Sequence, residues 1–346
     1  MSKRWLRKSF GILLMVTLLT TVGLHRQVLA QATDQPILEE SAAIALPFNA
    51  DTDSTTLLPT DLTQSGSPYD DSRLVIGADE RLPVLTREFP WVAMGRLEWQ
   101  IQGEALTTCT ATLIGPSAIL TNSHCLVLPL QDGSGELIDT FIEPGDYQGL
   151  VANNADLNLK LIFKPSLIEG IALDESEIIT YETGWSANYS DEKDDWAVLR
   201  LADALGDYYG YLGWRDLDFD DPDVLDASFE SINLLGYSGD FPTNNLREFG
   251  LPTETAGVDQ ACSILGIWHT NDYRNDTLAH DCDTNPGASG GPIFALFDDG
   301  NYYLVGLHAH STPLDERLTL PNGVETDVIN GGVQVYRWQA AAYRNR

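Results

Sequence analysis

The sequence predicts an all-β protein whose short strands form barrels or a sandwich. After Leu74, runs of four to six β-branched, aliphatic and aromatic residues recur between clusters of Gly, Pro, Asn and Asp. Short runs bounded by turn residues favour a barrel or sandwich over βαβ units. The chain has 346 residues, 43% of them hydrophobic, with 8 Trp, 13 Tyr and 11 Phe. It can therefore bury a large core, which excludes a disordered acidic tail.

Residues 1–30 have the form of a secretory signal peptide. They contain five basic residues and no acidic one, with an apolar run from Phe10 to Leu24 and small residues before Gln31. The run is shorter than the ~20 residues of a membrane-spanning helix. This favours a signal cleaved after Ala30 over an uncleaved anchor. We expect a secreted protein, extracellular or periplasmic, without a membrane association once the signal is removed.

Residues 31–73 form a polar, acidic stretch. They include eight acidic residues, one basic residue and two aromatic ones. Such a composition cannot bury much apolar surface. It fits a pro-segment that is removed, and equally a linker or flexible N-terminal extension that stays.

The remaining chain divides into two strand-rich halves, residues 74–201 and 229–346. Between them, residues 202–228 are rich in Asp, Gly and Tyr, and they are predicted to be a crossover linker. A short helix is predicted from Trp338 to Tyr343, where a glutamine and three alanines favour helix. The predicted strands lie at 91–94, 110–114, 118–121, 159–163, 196–201, 231–235, 291–296 and 302–307.

The charge excludes one class of function. The chain has 51 acidic against 20 basic side chains, a formal net charge of −31. Loss of the five basic residues of 1–30 leaves 15 against the same 51 acidic side chains, a charge of −36. A nucleic-acid-binding protein needs a basic face to neutralise phosphates, so we expect no nucleic-acid partner.

Three polar segments are candidates for catalysis, in the chain order His, Asp, Ser. His124 follows the predicted strand 118–121, a position that is fixed yet open enough for a general base. Asp195 directly precedes an apolar strand, where its carboxylate could accept a hydrogen bond from a His ring and hold its tautomer. Asp195 is preferred over Asp194 because it adjoins the strand. Taken alone, each segment is also compatible with an ordinary residue, and the charge run beginning at Asp191 is typical of solvated loops.

The third segment, Asn-Pro-Gly-Ala-Ser-Gly-Gly-Pro at 285–292, gives the sharpest signal. Glycines on both sides of Ser289 permit a tight backbone that exposes a nucleophilic hydroxyl. The N–H groups of Gly287 and Ser289 could then stabilise an oxyanion, each by about 3 kcal/mol in the transition state. A glycine-rich β-turn without a catalytic role is the common alternative.

Together, the three segments resemble the motifs of the trypsin-like serine peptidases. Those motifs are a His-Cys pair after a strand, an Asp before an apolar strand, and a Gly-x-Ser-Gly-Gly-Pro turn. The resemblance covers roughly residues 74–338. It implies two antiparallel β-barrels of the chymotrypsin type, with the active site between them and the short C-terminal helix at the end.

The resemblance also assigns roles to the site residues. It implies a general base and then acid at His124, an orienting carboxylate at Asp195, a nucleophile at Ser289, and oxyanion-hole donors at Gly287 and Ser289.

The four cysteines allow three pairings. Only the resemblance selects one, with disulfides between Cys109 and Cys125 and between Cys262 and Cys282. The first bridge closes a separation of 16 residues, worth about 3 kcal/mol in the chain-entropy description. A zinc site at His124, Cys109 and Cys125 is the competing interpretation, but it lacks a close-spaced Cys pair. We expect no metal and no cofactor.

The chain departs from trypsin itself at Ala288. Trypsin-like enzymes carry there the Asp that pairs with the new N-terminus after activation, so activation by that ion pair is excluded. The sequence is more similar to the bacterial glutamyl endopeptidase branch, and three segments carry this similarity. Leu-Val-Ile-Gly-Ala-Asp-Glu-Arg at 74–81 is similar to the mature N-terminus of that branch, Gly-Tyr-Ser-Gly-Asp at 236–240 to its Gly-Tyr-Pro-Gly-Asp turn, and Gly-Leu-His at 306–308 to its Gly-x-His strand. These matches favour a zymogen cut after Arg73.

In that branch, a His and a Thr line the primary pocket and receive the side chain of a substrate Glu. The matching residues here are His308 and Thr284, the latter five positions before Ser289. A cationic or hydrogen-bond-donating imidazole beside a hydroxyl suits a carboxylate, because an unpaired buried charge is prohibitive. The stretch 309–313 differs from the small residues usual in the branch and is expected to reshape the pocket. A purely structural His308 is the alternative, and no role is assigned to His269, His280 and His310.

The expected function is a secreted serine endopeptidase acting on protein or peptide substrates as a monomer. It would form an acyl-enzyme on Ser289 and prefer Glu or Asp before the cut. The alternative is a catalytically silent relative that uses the same fold for binding. All three triad positions are filled, which favours the enzyme.

Overall fold

Two large β-sheet assemblies, one built by the first half of the chain and one mainly by the second half, make up most of the structure. In this computed structural model the described residues are 43–48, 74–131, 136–269 and 276–346. The expected signal peptide, residues 1–30, lies outside them. The strands are β1 (Ala43–Ala45), β2 (Leu82–Pro83), β3 (Met94–Ile101), β4 (Glu104–Gly115), β5 (Ala118–Thr121), β6 (Val127–Gln131), β7 (Leu137–Phe141), β8 (Lys160–Pro165), β9 (Ser176–Thr183), β10 (Ala197–Leu201), β11 (Gly213–Arg215), β12 (Ile232–Gly236), β13 (Gly257–Cys262), β14 (Ile264–His269), β15 (Asp276–His280), β16 (Pro292–Leu296), β17 (Tyr302–Thr319) and β18 (Glu325–Gln334). The helices are α1 (Tyr147–Asn153), α2 (Gly206–Tyr209), α3 (Pro222–Ser228) and α4 (Val335–Asn345), with 3₁₀ turns at Trp91–Ala93, His124–Leu126, Ala155–Leu157, Glu192–Asp194 and Asn244–Phe249.

The first half forms a closed barrel in the strand order β10-β5-β4-β3-β8-β9. Side chains alternate between its two faces, as they do along any strand. In β10, Ala197 and Leu199 face the barrel interior, whereas Val198 contributes to the apolar core shared with the second half. The barrel is filled by large side chains such as Trp99 and Phe163, both 0% exposed.

The second half supplies seven strands of a ten-stranded sheet whose main path runs β14-β15-β18-β17-β16-β12-β13-β2. The other three strands come from earlier in the chain: β2 ends this path, and β11 pairs with β17 and with β1. The C-terminal helix α4 places Trp338 against Trp214 of β11, with ring centroids 5.5 Å apart. Residues from both halves share this core, including Leu120 of β5 and Phe294 of β16. The two halves are therefore joined by a common apolar interior as well as by the chain.

The predicted all-β fold class is confirmed, as are most of the strands named from the sequence. The predicted strand 118–121 matches β5, and the predicted helix lies within the longer α4. The predicted strand 91–94 is wrong for its first three residues, which form a buried 3₁₀ turn in which the Ala93 N–H donates to Pro90 O and the Met94 N–H to Trp91 O. The predicted linker 202–228 contains α2, β11 and α3.

One strand lies in the segment that composition marked as a linker or pro-segment. Ala43–Ala45 forms β1 and pairs antiparallel with β11, and Phe48 continues the contact through a bridge to Tyr211. A three-residue strand buries little surface and leaves almost no periodic pattern, so composition could not reveal it. Part of this segment is thus docked on the second-half sheet.

Candidate active site

The pairing of β5 with β10 brings the candidate His and Asp together. The two strands are antiparallel, and Thr121, at the end of β5, lies opposite Ala197, at the start of β10. The chain leaving β5 and the chain entering β10 are therefore neighbours at the same edge of the barrel. His124 begins a 3₁₀ turn after β5, and Asp195 directly follows another one, just before β10.

Two hydrogen bonds join these residues. The backbone N–H of His124 donates to Asp195 Oδ1 at 2.9 Å, and Nδ1 of the His124 ring lies 2.6 Å from Asp195 Oδ2. The Asp195 side chain is 5% exposed and that of His124 is 31% exposed. A proton on Nδ1 would donate to the carboxylate and leave Nε2 as an acceptor toward solvent. The arrangement can therefore orient an accessible imidazole for proton transfer.

The pKa of His124 results from two opposed effects. Burial lowers the pKa, because it disfavours the charged ring. The negative charge of Asp195 and its hydrogen bond to the ring act in the opposite direction and outweigh burial, so the pKa of His124 is raised above 6.5. Asp195 thus stabilises the imidazolium that a general base becomes after taking a proton.

Ser289 lies in a tight turn that only glycine can form at its flanks. Gly287 has a φ of 103° and Gly290 a φ of 79°, values that disfavour a side chain. A Cβ on Gly290 would lie 2.2 Å from both the carbonyl oxygen of Thr110 and the hydroxyl of Thr121. The glycines therefore let this turn approach the barrel wall closely.

The hydrogen bonds of this turn leave two N–H groups available. The N–H of Ala288 donates to Asn285 O at 2.9 Å, and that of Gly291 donates to Ala288 O at 2.7 Å. Within the described residues, by contrast, nothing accepts a hydrogen bond from the N–H of Gly287 or of Ser289. These are the two donors that the sequence assigned to an oxyanion hole. Unpaired donors close to a nucleophile can stabilise a developing negative charge.

Thr110 of β4 fixes the serine turn to the first-half barrel. Its N–H donates to the carbonyl of Ser289 at 2.8 Å, and its hydroxyl donates to the carbonyl of Gly287 at 2.9 Å. The same hydroxyl accepts the N–H of Tyr237 at 2.9 Å. One barrel residue thus holds the carbonyls of Gly287 and Ser289, which places the serine turn at the junction of the two halves.

His124 and Asp195 contact each other directly. Ser289 approaches the His124 segment through its backbone carbonyl. The carbonyl of Ser289 lies 4.0 Å from Sγ of Cys125, the residue after His124. The Ser289 hydroxyl forms no hydrogen bond to any residue that the structure describes, His124 included. Catalytic hydrogen bonds are often long without substrate and shorten only in the complex.

The two candidate pocket residues lie on either side of the serine turn. The backbone of His308 in β17 exchanges hydrogen bonds with the turn, accepting from the Gly290 N–H at 3.0 Å and donating to Gly291 O at 2.9 Å. Thr284 precedes the turn and is 0% exposed, and its hydroxyl has no hydrogen-bond partner among the described residues. A buried hydroxyl without a partner is uncommon in folded proteins and needs an explanation.

His308 lies in a cluster with His280 and His310, two histidines to which the sequence assigned no role. Its Nδ1 lies 3.1 Å from Nε2 of His280. Burial, and then the neighbouring rings of His280, His310 and His124, hold the pKa of His308 well below 6.5. Burial, with His310 nearby, lowers the pKa of His280 to about 3. Of the two forms the sequence left open, the structure therefore favours a neutral, hydrogen-bonding His308 over a cationic one.

Both disulfides implied by the resemblance are present. Cys109 bonds Cys125, and Cys262 bonds Cys282. A disulfide offers no thiolate, and the thiolate is the form that binds zinc. The competing zinc interpretation therefore loses two of its three ligands.

Sequence reasoning missed two residues that hold Asp195 in place. Asn122 Nδ2 donates to the carbonyl of Asp195 at 2.6 Å, and Ser123 Oγ donates to the carbonyl of Trp196 at 2.6 Å. Both are 0% exposed. The signal was two consecutive polar residues directly before a candidate base, where an apolar strand had just ended. Buried polar side chains need partners, and here the partner is the backbone that carries the carboxylate.

No helix among the described residues is both long and apolar enough to cross a bilayer.

A closed barrel beside a second sheet, with the candidate site where the two halves meet, is the arrangement of the chymotrypsin type of peptidase. The profile of the trypsin-like peptidase domain matches residues 109–307, more than half of the chain. The chain belongs to this family.

The comparison with solved structures includes the structure of a Glu endopeptidase in complex with MPD. It shares 22% sequence identity, with a TM-score of 0.48, over 78% of this chain and 99% of that chain. No curated protein matches the sequence.

Proposed function

We propose that the protein is an exported serine endopeptidase in which Ser289, His124 and Asp195 form the catalytic triad. The single observation that carries this proposal is the pair of hydrogen bonds, 2.9 and 2.6 Å, that fix the His124 ring on a buried Asp195 carboxylate. A solvated surface histidine has no such partner. The glycine-flanked serine turn against the same barrel wall supplies the other half of the constellation.

The proposed reaction proceeds through an acyl-enzyme. His124 Nε2 takes the proton of the Ser289 hydroxyl as its oxygen attacks the carbonyl carbon of the scissile peptide bond. The same nitrogen returns the proton to the leaving amine when the C–N bond breaks. His124 then activates a water, which hydrolyses the ester on Ser289 and restores the free hydroxyl. Asp195 keeps the ring in the required tautomer throughout.

The N–H groups of Gly287 and Ser289 are proposed to bind the oxyanion of both tetrahedral intermediates. Their lack of another acceptor among the described residues supports this role. The carbonyl of Pro286, which shares a peptide unit with the Gly287 N–H, accepts the Gly239 N–H at 2.7 Å, and this bond orients the Gly287 donor before substrate arrives. Preorganised donors of this kind are worth about 3 kcal/mol each in the transition state.

The proposed primary pocket uses His308 and Thr284 to prefer a substrate Glu, with Asp as a weaker substrate. The unpaired Thr284 hydroxyl and a neutral His308 ring supply hydrogen bonds to a carboxylate. A bound carboxylate would itself raise the pKa of His308 by adding a negative charge beside it. Selectivity over Gln would then measure how far the ring becomes charged when substrate binds.

Maturation is proposed to occur by cleavage after Arg73, following export with removal of residues 1–30. The chain directly after that bond is bound in the structure, since the carbonyl of Leu74 accepts hydrogen bonds from the Thr284 N–H at 3.4 Å and from Asn330 Nδ2 at 3.1 Å. N-terminal sequencing of the active secreted protein tests the cut. We expect a start at Leu74, and fully active material that begins before Thr60 would contradict it.

Labelling with a fluorophosphonate probe tests the enzyme against a catalytically silent binding protein. We expect covalent label on Ser289 of the mature wild type and none on Ser289→Ala. Ser176→Ala is the matched control, because Ser176 lies on β9 of the first-half barrel, outside the serine turn and the candidate pocket, and its hydroxyl bonds Asp203. Absence of label on mature, folded wild type would favour the binding protein.

Cleavage of a mixed peptide pool tests the pocket. The mature enzyme should cut after Glu, and His308→Phe and Thr284→Val should each lose this preference while still labelling at Ser289. Preferred cuts after Leu or Arg, with none after Glu, would remove His308 and Thr284 from the pocket.

A further inference from the structure

Arg81 lies at the end of a segment to which the proposed reaction assigns no chemical role. Its side chain is buried, with 1% of the residue exposed. The guanidinium donates to both oxygens of two carboxylates: Nε and Nη2 bond Asp79 at 2.9 Å each, while Nη1 and Nη2 bond Asp240 at 2.9 and 2.8 Å. Its carbon also lies 5.2 Å from the centre of the Phe241 ring. A guanidinium held on two sides in this way has one fixed position.

Asp240 connects the fixed guanidinium of Arg81 to the serine turn. Its Oδ2 accepts a hydrogen bond from Asn285 Nδ2 at 2.9 Å, and the N–H of the adjacent Gly239 donates to the carbonyl of Pro286 at 2.7 Å. Asn285 and Pro286 open the turn that ends at Ser289. The loop containing Asp240 is therefore attached to both residues that precede Gly287.

The same loop limits the conformation of Gly287 itself. A Cβ on Gly287 would lie 2.5 Å from the carbonyl oxygen of Tyr237, so the peptide unit rests on the loop backbone. A shift of the loop would rotate the Pro286–Gly287 peptide unit and turn the Gly287 N–H away from the proposed oxyanion site. The line of contacts runs from Arg81 through Asp240 and Asn285 to Gly287, over about 200 residues of sequence.

We propose that Arg81 is a positioning residue for the oxyanion-binding turn and acts through Asp240 and Asn285. This inference rests on the proposed function. It also accounts for Ala288, which stands where related peptidases carry an Asp that orders this turn through a buried ion pair. Here the ion pair lies outside the turn, between the segment after Arg73 and the loop behind Gly287.

A positioning role and a merely structural role predict different kinetics. Misplaced oxyanion donors weaken only the transition state, so kcat falls while KM changes little. A merely structural Arg81 would lower the thermal stability and the fraction of folded enzyme, and the enzyme that remains folded would keep its kcat. Active-site titration with the fluorophosphonate separates the two, because it counts competent sites.

The test compares Arg81→Gln and Asn285→Ala with wild type in the mature protein. Asn285→Ala removes the last link and leaves both ion pairs of Arg81 in place, so it remains informative if Arg81→Gln unfolds. Arg317→Gln is the matched control, since the Arg317 side chain is 70% exposed and forms an ion pair with Glu325 at 3.6 Å, away from the serine turn in sequence. For each variant, kcat and KM on a peptide substrate, the labelling rate of Ser289 and the thermal unfolding midpoint are measured.

We expect kcat per titrated site to fall about 10- to 100-fold in both variants, with KM changed less than about threefold. The labelling rate should fall in parallel, and Arg317→Gln should match wild type. The double variant should lose no more than the worse single variant, because both act on one line of contacts. Wild-type kcat per site in folded Asn285→Ala would overturn the inference and leave the proposed function standing. Failure of wild type to label at Ser289 would overturn both.

Discussion

Replacement of Asp195 by Asn is the perturbation that most sharply tests how the triad is held. In the wild type, one carboxylate oxygen accepts the backbone N–H of His124 and the other faces Nδ1 of its ring. Asn has one acceptor oxygen and one NH₂ group in nearly the same shape. If the oxygen keeps the backbone N–H, the NH₂ faces Nδ1 at 2.6 Å and forces the ring proton onto Nε2. The nitrogen that must accept the Ser289 proton is then already protonated.

The expected loss of kcat follows from this change of tautomer. An imidazole in the wrong tautomer cannot act as the general base, and the corresponding change in a serine peptidase triad lowers kcat by about 10⁴-fold. This corresponds to about 5 kcal/mol of transition-state stabilisation. The fold should survive, because Asn122 and Ser123 hold the backbone of Asp195 and Trp196 independently of the carboxylate.

The pH dependence of activity tests the role of Asp195 in a second, independent way. Only the charge of Asp195 and its hydrogen bond raise the pKa of His124 against burial. Without that charge, burial remains and the pKa falls below 6.5. The base must be neutral, so activity rises with pH through this pKa. The acid limb of the profile should therefore lie above pH 6.5 in wild type and move to lower pH in Asp195→Asn.

The assay is kcat/KM on a peptide substrate from pH 4 to 9, with the rate of fluorophosphonate labelling where turnover is too slow. Asp194→Asn is the matched control, because Asp194 is the adjacent carboxylate and bonds Tyr189 and Arg337 instead of His124. It should keep activity within about threefold of wild type. A loss of less than about tenfold in Asp195→Asn, or an acid limb that does not move, would refute the proposed role of Asp195.

Three further predictions concern stability. Gly290→Ala should destabilise the fold and abolish labelling, because its Cβ would lie 2.2 Å from the carbonyl oxygen of Thr110. Gly300→Ala is the control: Gly300 has a similar φ of 77° with open space around it, so the free energy of unfolding should fall by only about 1–3 kcal/mol in thermal unfolding. Burial lowers the pKa of His280 to about 3, while the unfolded chain binds that proton near pH 6.5. The free energy of unfolding in urea should therefore fall as the pH drops from about 6.5 to about 3, and His280→Gln should flatten this decline. The double variant Cys109→Ala/Cys125→Ala should lose about 3 kcal/mol, and an unchanged unfolding midpoint would contradict the account of this bridge.

The features that could be predicted best from the sequence are those determined by consecutive residues, namely strands and tight turns. The strand before His124 and the glycines beside Ser289 follow from local pattern and turn chemistry, which act over a few positions. The choice of Asp195 over Asp194 also used a local rule, the adjoining strand, and in the structure Asp195 is the residue that contacts His124. Local patterns identified the candidate chemistry before any tertiary contact was known.

What the sequence could not predict depends on contacts between distant segments. The buried pair of His280 and His308 exists because β15 and β17 both pair with β18, an arrangement no local period encodes. The ion pair between Arg81 and Asp240 forms across 159 positions, and no local pattern around either residue indicates it. The sequence pattern predicts a strand where the structure has the 3₁₀ turn Trp91–Ala93, because a short apolar run is buried equally well in either conformation.

The most direct test of the central claim is the mass of the intact mature enzyme, quenched in acid during turnover of an activated ester. If Ser289 is the nucleophile, an acyl adduct should appear on the peptide containing Ser289, decay as product forms, and be absent from Ser289→Ala. Turnover at the wild-type rate with the adduct on another residue, or with no adduct although rapid quenching resolves a product burst, would contradict the account.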